Sequence, residues 1–236
     1  MTLVFIDTET TGTDSKTDRP VSMALFQIEK DQSNFRVLYH GLMDPCMDIP
    51  KGASDVHKIT DEMVKGIFPD YVMAIHTVKM ILSCLPNQVV LVGHNISQYD
   101  LPLLDSCLGF EYFTQFPMID TLDIAFRLNP ELPSKKLGDL LKAFDYPVPE
   151  GLHGAMTDCL VCKDIFFHYF YNYQYSLEQW VSYLEDPKPY KLFPFGKYRG
   201  NELKDIPEDY TRWMVKNISD PRPDLKETLK ILTERL

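Results

Sequence analysis

The 236-residue sequence predicts an α/β fold, a mixed β-sheet flanked by helices, followed by a small C-terminal module. Three observations predict it. A short apolar run opens the chain and is followed by two segments that alternate apolar and polar residues. Helical periodicities then surround one further apolar strand. A proline-rich stretch near residue 187 interrupts all periodicity before a more basic tail.

The first strand is Leu3-Val4-Phe5-Ile6, a β-branched and aromatic run without helical spacing, and Asp7 and Glu9 follow at its end. Residues two apart on a strand share a face, so both carboxylates point one way and repel. They are either solvated loop residues or a pair delivered to a site. "VSMALFQIE" (21–29) and "FRVLYHGLM" (35–43), split by the polar turn "KDQSN", form an antiparallel meander. "KITDEMVKG" holds a short helix with Thr60 as cap and Gly66 as stop. Residues 70–85 read as an amphipathic helix and 88–95 as a buried strand ending in polar residues. Helices are expected at about 98–108, 121–128, 136–144, 154–172 and 176–185.

The domain division follows: 1–175 as the main domain, 176–190 as a helix and proline-rich linker, and 191–236 as a small module of a turn and two or three short helices. Hydrophobic residues make up 44% and charged ones 25%, enough for a proper core. No apolar run approaches membrane-spanning length and no charged-then-apolar leader opens the chain. Five scattered cysteines do not make a disulfide framework, so a cytoplasmic protein with no membrane partner is expected. Cys159 and Cys162 form a C-x-x-C with no second pair to complete a zinc site, and read as two buried helical thiols.

Charge is unevenly spread. Residues 1–186 carry 13 basic and 26 acidic side chains, a net of −13; residues 187–236 carry 11 and 8, a net of +3. The overall −10 argues against holding nucleic acid by bulk electrostatics alone.

Further charge and imidazole appear where core patterns break. Asp100 follows a strand and loop in "LVGHNISQYDLPLL"; His153 lies between glycines in "GLHGAMTDCLVCKDI", five residues before Asp158. Singly, Asp100 reads equally as a helix N-cap, Asp158 as first-turn charge, and His153 as a loop residue. Jointly with Asp7 and Glu9 they form a set at strand ends and helix starts, where sites gather on open α/β sheets. Metal-dependent phosphodiester hydrolysis uses such a set: Mg²⁺ takes hard oxygen ligands, and paired ions stabilise both the attacking and the leaving oxygen. A nearby histidine can act as base.

"FIDTETTG", "GHNISQYDLPLL" and "HGAMTD" resemble the three motifs of the DEDD 3′–5′ exonucleases, histidine subtype, over roughly residues 1–175. The resemblance implies a ribonuclease-H-like fold and release of nucleoside 5′-monophosphates from DNA 3′ ends, single-stranded or duplex. Two divalent ions, Mg²⁺ or Mn²⁺, would be held by Asp7, Glu9, Asp100 and Asp158, with His153 as general base. It also implies substrate contacts from Thr10, Thr11, Gly12, His57, Thr60 and Asn95. Asp120, in "IDTLDIAFRL", is expected to cap a helix. The tail "FPFGKYRG…" resembles the C-terminal module of exonuclease X-type enzymes. There Lys197, Tyr198 and Arg199 suit phosphate contact and base stacking, or equally an ordinary hairpin with the tyrosine packed inward. The alternatives are an RNA-trimming exonuclease of the same fold and a non-catalytic nucleic-acid-binding protein.

Overall fold

Alternation along the first strand divides the core in two. The computed structural model describes residues 1–28, 34–218 and 222–236. In β1 (Thr2–Thr10), Leu3 and Phe5 face one layer, while Val4 and Ile6 face the other. β1 pairs antiparallel with β2 (Pro20–Ile28), which pairs antiparallel with β3 (Phe35–Leu42). This is the expected meander; the end of its second strand at residue 29 and its turn through residue 33 lie outside the described residues. Two short helices, α1 (Lys51–His57) and α2 (Asp61–Val64), precede α3 (Tyr71–Ser83). β4 (Val89–Gly93) then pairs parallel with β1, and β5 (Met118–Asp120) parallel with β4, giving the order β3-β2-β1-β4-β5.

Four helices, α4 (Asp100–Leu108), α5 (Thr121–Leu128), α6 (Leu137–Ala143) and α7 (Ala155–Tyr173), complete the main layers, and α8 (Leu177–Glu185) follows. α3 and α4 cover the Val4/Ile6 face. α5 to α8 cover the other, where Phe5 stacks on Phe26 at 5.1 Å and meets Phe166 edge-on at 5.9 Å. Fully burying each such ring is worth about 1.5–3 kcal/mol. Cys159 and Cys162 are free thiols buried in α7, as expected. Ser176 opens α8 with a capping box closed by Gln179.

β1 runs on through Asp7 and Glu9 rather than ending before them, because its ladder with β2 continues to Thr10 opposite Pro20. The central strand thereby carries the acids out to the sheet edge. The chain builds the meander on one side of β1 and then crosses to β4 on the other, and such a switch point leaves a crevice at the strand ends. Gly93 closes β4 there. A Cβ at this position would stand 2.8 Å from the Ile6 carbonyl and 2.0 Å from Ile96 Cγ2.

The tail has its own apolar cluster around Phe193, Ile206, Met214, Leu225 and Leu232. It is built from a tight loop over 192–202, then α9 (Glu208–Asn217) and α10 (Pro223–Thr233). Phe126 of α5 packs into that cluster. Arg127, next along, reaches the buried Asp224 with two hydrogen bonds of 2.7 Å. No described helix is long and apolar enough to cross a membrane.

Candidate active site

Strand geometry puts Asp7 and Glu9 on the α7 side of β1, and Asp158 in the first turn of α7 faces them. One carboxylate oxygen from each lies within 4.8 Å of the others. Asp100, the first residue of α4, is buried beside this trio but outside the compact cluster. Thr8 fixes it: the Thr8 amide donates to Asp100 Oδ1 at 3.0 Å and the Thr8 hydroxyl at 2.5 Å. Alternation explains both roles, with Asp7 and Glu9 facing α7 and Thr8 between them facing α4.

So many acids in one partly buried place cannot all ionise cheaply. Burial, reinforced by Asp100, Asp158 and Glu9, holds the Asp7 carboxyl well above the usual carboxylate range. Burial and the charges of Asp158 and Asp100 push Glu9 up to about 8. Burial lifts Asp100 to about 6 against the pull of its Thr8 donors. Asp158 is raised by burial too, although the His153 amide donates to it at 3.2 Å and opposes the rise. A bound cation would reverse this pressure, and the all-oxygen donor set suits a hard divalent ion.

His153 stands at the rim, exposed, with φ 68 in the left-handed region. Of the five residues expected at the centre, Asp7, Glu9 and Asp158 cluster, Asp100 lies beside them, and His153 joins at the rim through its backbone amide on Asp158. Tyr198 with its neighbours Lys197 and Arg199 belongs to the tail unit instead.

The turn after β1 is bonded to itself. The Tyr99 hydroxyl is 2.6 Å from both Thr10 Oγ1 and the Gly12 carbonyl. The Thr11 hydroxyl donates to Asp18 at 2.7 Å, and a Cβ on Gly12 would meet that carboxylate at 2.5 Å. His57 is buried; its Nδ1 accepts from the Ile59 amide, so Nε2 carries the proton and donates to the Thr10 carbonyl at 3.2 Å. Thr60 occupies the N-cap of α2 without a side-chain capping bond.

Asn95, in the loop leading to Asp100, has φ 74, and its side-chain oxygen receives the Arg222 guanidinium from the tail. The same guanidinium pairs with Asp123. Asp120 caps α5 through the Leu122 amide, as expected, and also accepts from the Asn95 amide at 2.8 Å and the Ser97 hydroxyl at 2.7 Å. Sequence reasoning missed Thr8, Tyr99 and Arg222. The signal for the first two was their place within the motifs, between Asp7 and Glu9 and directly before Asp100.

One edge of the five-stranded mixed sheet thus carries Asp7 and Glu9 from its central strand beside Asp100 and Asp158 from the first turns of α4 and α7. Residues 4–166 match the family model described as Exonuclease (RNase_T), and the chain belongs to that family of enzymes. Residues 190–234 match a second model, whose description names a quorum-sensing-regulated virulence factor.

The chain is similar to Exodeoxyribonuclease 10 of Escherichia coli, at 27% identity over 202 residues, which cover 80% of this chain and 81% of that protein. The PolC-type DNA polymerase III of Mycoplasma genitalium is 29% identical over 173 residues, 71% of this chain but 11% of the polymerase's length. Solved exonuclease structures share the fold. E. coli exonuclease I with an oligonucleotide superposes at TM-score 0.62 with 19% identity, over 78% of this chain and 43% of that one. Exonuclease X with 5′ overhanging duplex DNA superposes at 0.57 with 22% identity, over 76% and 98%.

Proposed function

We propose that this enzyme removes nucleoside 5′-monophosphates from DNA 3′ ends with the help of two divalent ions, Mg²⁺ or Mn²⁺. The carboxylate cluster carries the reading: donor oxygens of Asp7, Glu9 and Asp158 within 4.8 Å of one another, and Asp100 held alongside by Thr8. Acids that raise one another's pKa serve neither packing nor phosphate binding, whereas cations would compensate them. Asp7, Glu9 and Asp158 would hold one ion, and Asp7 and Asp100 the second. Bound there, the ions would stabilise negative charge on the phosphate and on its attacking and leaving oxygens. His153, exposed at the rim, would take the proton from the attacking water. The side-chain atoms that bond Thr10, Thr11, His57 and Asn95 internally give these residues the task of shaping the edge where a 3′ terminal nucleotide would lie. DNA as substrate is supported by the relative that matches this chain over most of both lengths, named an exodeoxyribonuclease.

The test is a cleavage time course on 5′-labelled single-stranded DNA, duplex DNA and single-stranded RNA, with Mg²⁺, Mn²⁺ or EDTA, beside His153→Ala. A ladder shortening from the 3′ end of DNA, lost with EDTA and in the variant, is expected. Preference for RNA would overturn the substrate, cleavage in EDTA the metals, and full activity of His153→Ala the base.

A further inference from the structure

The tail is basic overall, and its unburied aromatic surface lies on α9. Tyr198 is turned half inward, its ring edge-on to Tyr210 at 4.8 Å. Tyr210 stacks in turn on Trp213, with ring centroids 5.5 Å apart and planes within 19°. Thr211 and Met214 of the same helix are buried, yet Trp213 is 51% exposed. The outermost ring of a three-ring pile thus faces water.

Cations lie at both ends of the pile in sequence and contact. Lys197 lies 4.7 Å over the Tyr198 ring, and Arg199 and Lys216 are exposed. Of the two acids at the start of α9, Glu208 pairs with Arg212 at 3.6 Å, while Asp209 accepts from the Tyr210 amide at 2.8 Å and lies close enough to Lys197 to act on its charge. Gly196 permits the arrangement. Its φ is 65, and a Cβ there would stand 2.7 Å from the Tyr210 hydroxyl, so glycine lets the Lys197–Arg199 turn close over the pile.

We infer that Trp213, backed by Tyr210, with Lys216 one turn on along α9 and Lys197 over the far ring of the pile, is a stacking platform for a base of single-stranded DNA. The inference rests on the nucleic-acid substrate proposed for the acidic site and adds a second foothold to it. An aromatic face accepts any base, and exposed cations meet the adjoining phosphates. Charge complementarity selects this occupant: the main body, at −13, repels a polyanion, while the tail, at +3, attracts one. The platform therefore gives the strand a hold on the tail in addition to the acidic site that trims its end.

The molecule supplies its own probe, because it has two tryptophans and the other, Trp180, is fully buried. Tryptophan fluorescence of the full chain is titrated in EDTA with oligothymidylate, with an abasic oligomer of equal length, and with protein alone at rising concentration. Oligothymidylate is expected to quench the exposed component, and the abasic oligomer to bind more weakly without quenching. Trp213→Ala should weaken oligothymidylate binding about 5- to 150-fold, the range one lost base–aromatic stack represents, and Trp213→Phe should restore most of it.

Equal quenching by both oligomers, or undiminished binding by Trp213→Ala, overturns the platform. So does quenching by protein concentration alone, which would mark a surface for a second copy. Should Trp213→Ala not fold, the wild-type comparison of the two oligomers decides. Cleavage of the same oligothymidylate with Mg²⁺ is scored separately: cleavage without quenching sinks only the platform, and quenching without cleavage sinks only the hydrolytic reading.

Discussion

The guanidinium of Arg127 grips the carboxylate of Asp224 with two bonds of 2.7 Å across 97 residues of chain, and both side chains are buried. Asp224 also accepts the Lys188 amide at 2.9 Å, so one acid ties helix α5, the linker and the tail together. Removing one partner strands a charge in the interface. Asp224→Ala should cost about 3–5 kcal/mol in urea unfolding, while the double variant Arg127→Met/Asp224→Leu should lose less than the sum of the single changes.

Stability of the metal-free protein should fall as pH rises through neutrality. Glu9 is pushed up to about 8, Asp100 to about 6, and Asp7 is raised as well. Unfolded carboxyls ionise near pH 4, so from about 4 to 8 the folded state binds more protons and the slope of stability with pH from these groups is negative. In EDTA the melting temperature should drop from about pH 5 to about pH 8, less steeply in Glu9→Gln. Mg²⁺ or Mn²⁺ should recover more at the upper pH. An unchanged slope in Glu9→Gln would refute the assignment.

Asp7→Asn should separate stability from catalysis. It removes the acid most surrounded by other acids, so the metal-free melting temperature at about pH 8 should rise. Cleavage should fall by about a thousandfold or more, as expected on losing charge that organises a transition state. Activity near wild type would remove Asp7 from the centre.

Thr8→Val takes the hydroxyl donor from Asp100 and keeps the shape. A hydrogen bond to a charged group contributes about 1.5–3 kcal/mol, and losing it should raise the Asp100 pKa further. Measured by calorimetry across pH, the acid limb of Mn²⁺ binding should move upward, with the fold intact by circular dichroism.

Gly93→Ala should be among the most damaging single-methyl changes. The new Cβ meets the Ile6 backbone carbonyl, which cannot rotate away, as well as Ile96. Overpacking of this kind costs about 1–3 kcal/mol or more and would shift the loop that leads to Asp100. Thermal melts beside Gly109→Ala, whose Cβ meets nothing within 4 Å, would separate crowding from left-handed strain.

The apolar run Leu3–Ile6 and the alternation at 21–29 are enough to place the sheet's first two strands. Where β1 stops was not legible, because Asp7 to Thr10 stay in the strand through pairing with β2. β5 is three residues long and runs directly into α5, so no period of two could appear. Helix α1, "KGASDVH", buries only His57 and carries no periodic stripe. The four acids and His153 were legible from residue type and motif. Their supports were not: Thr8 finds Asp100 across 92 residues, and Tyr99 finds Thr10 across 89. Tyr198 had two equal readings, and its inward packing left the exposed role to Trp213, which nothing in the sequence set apart.

Because Phe126 and Arg127 sit on a helix of the main body yet complete the tail's core and ion pair, the tail is not a cassette that recombination could lift out cleanly. A descendant that lost it would inherit a Phe126 ring and an Arg127 guanidinium stripped of their tail partners side by side on α5, the guanidinium keeping only its bonds to the Tyr183 and Leu184 carbonyls. Shedding the tail would therefore favour new side chains at both positions, one less apolar and one without a buried charge.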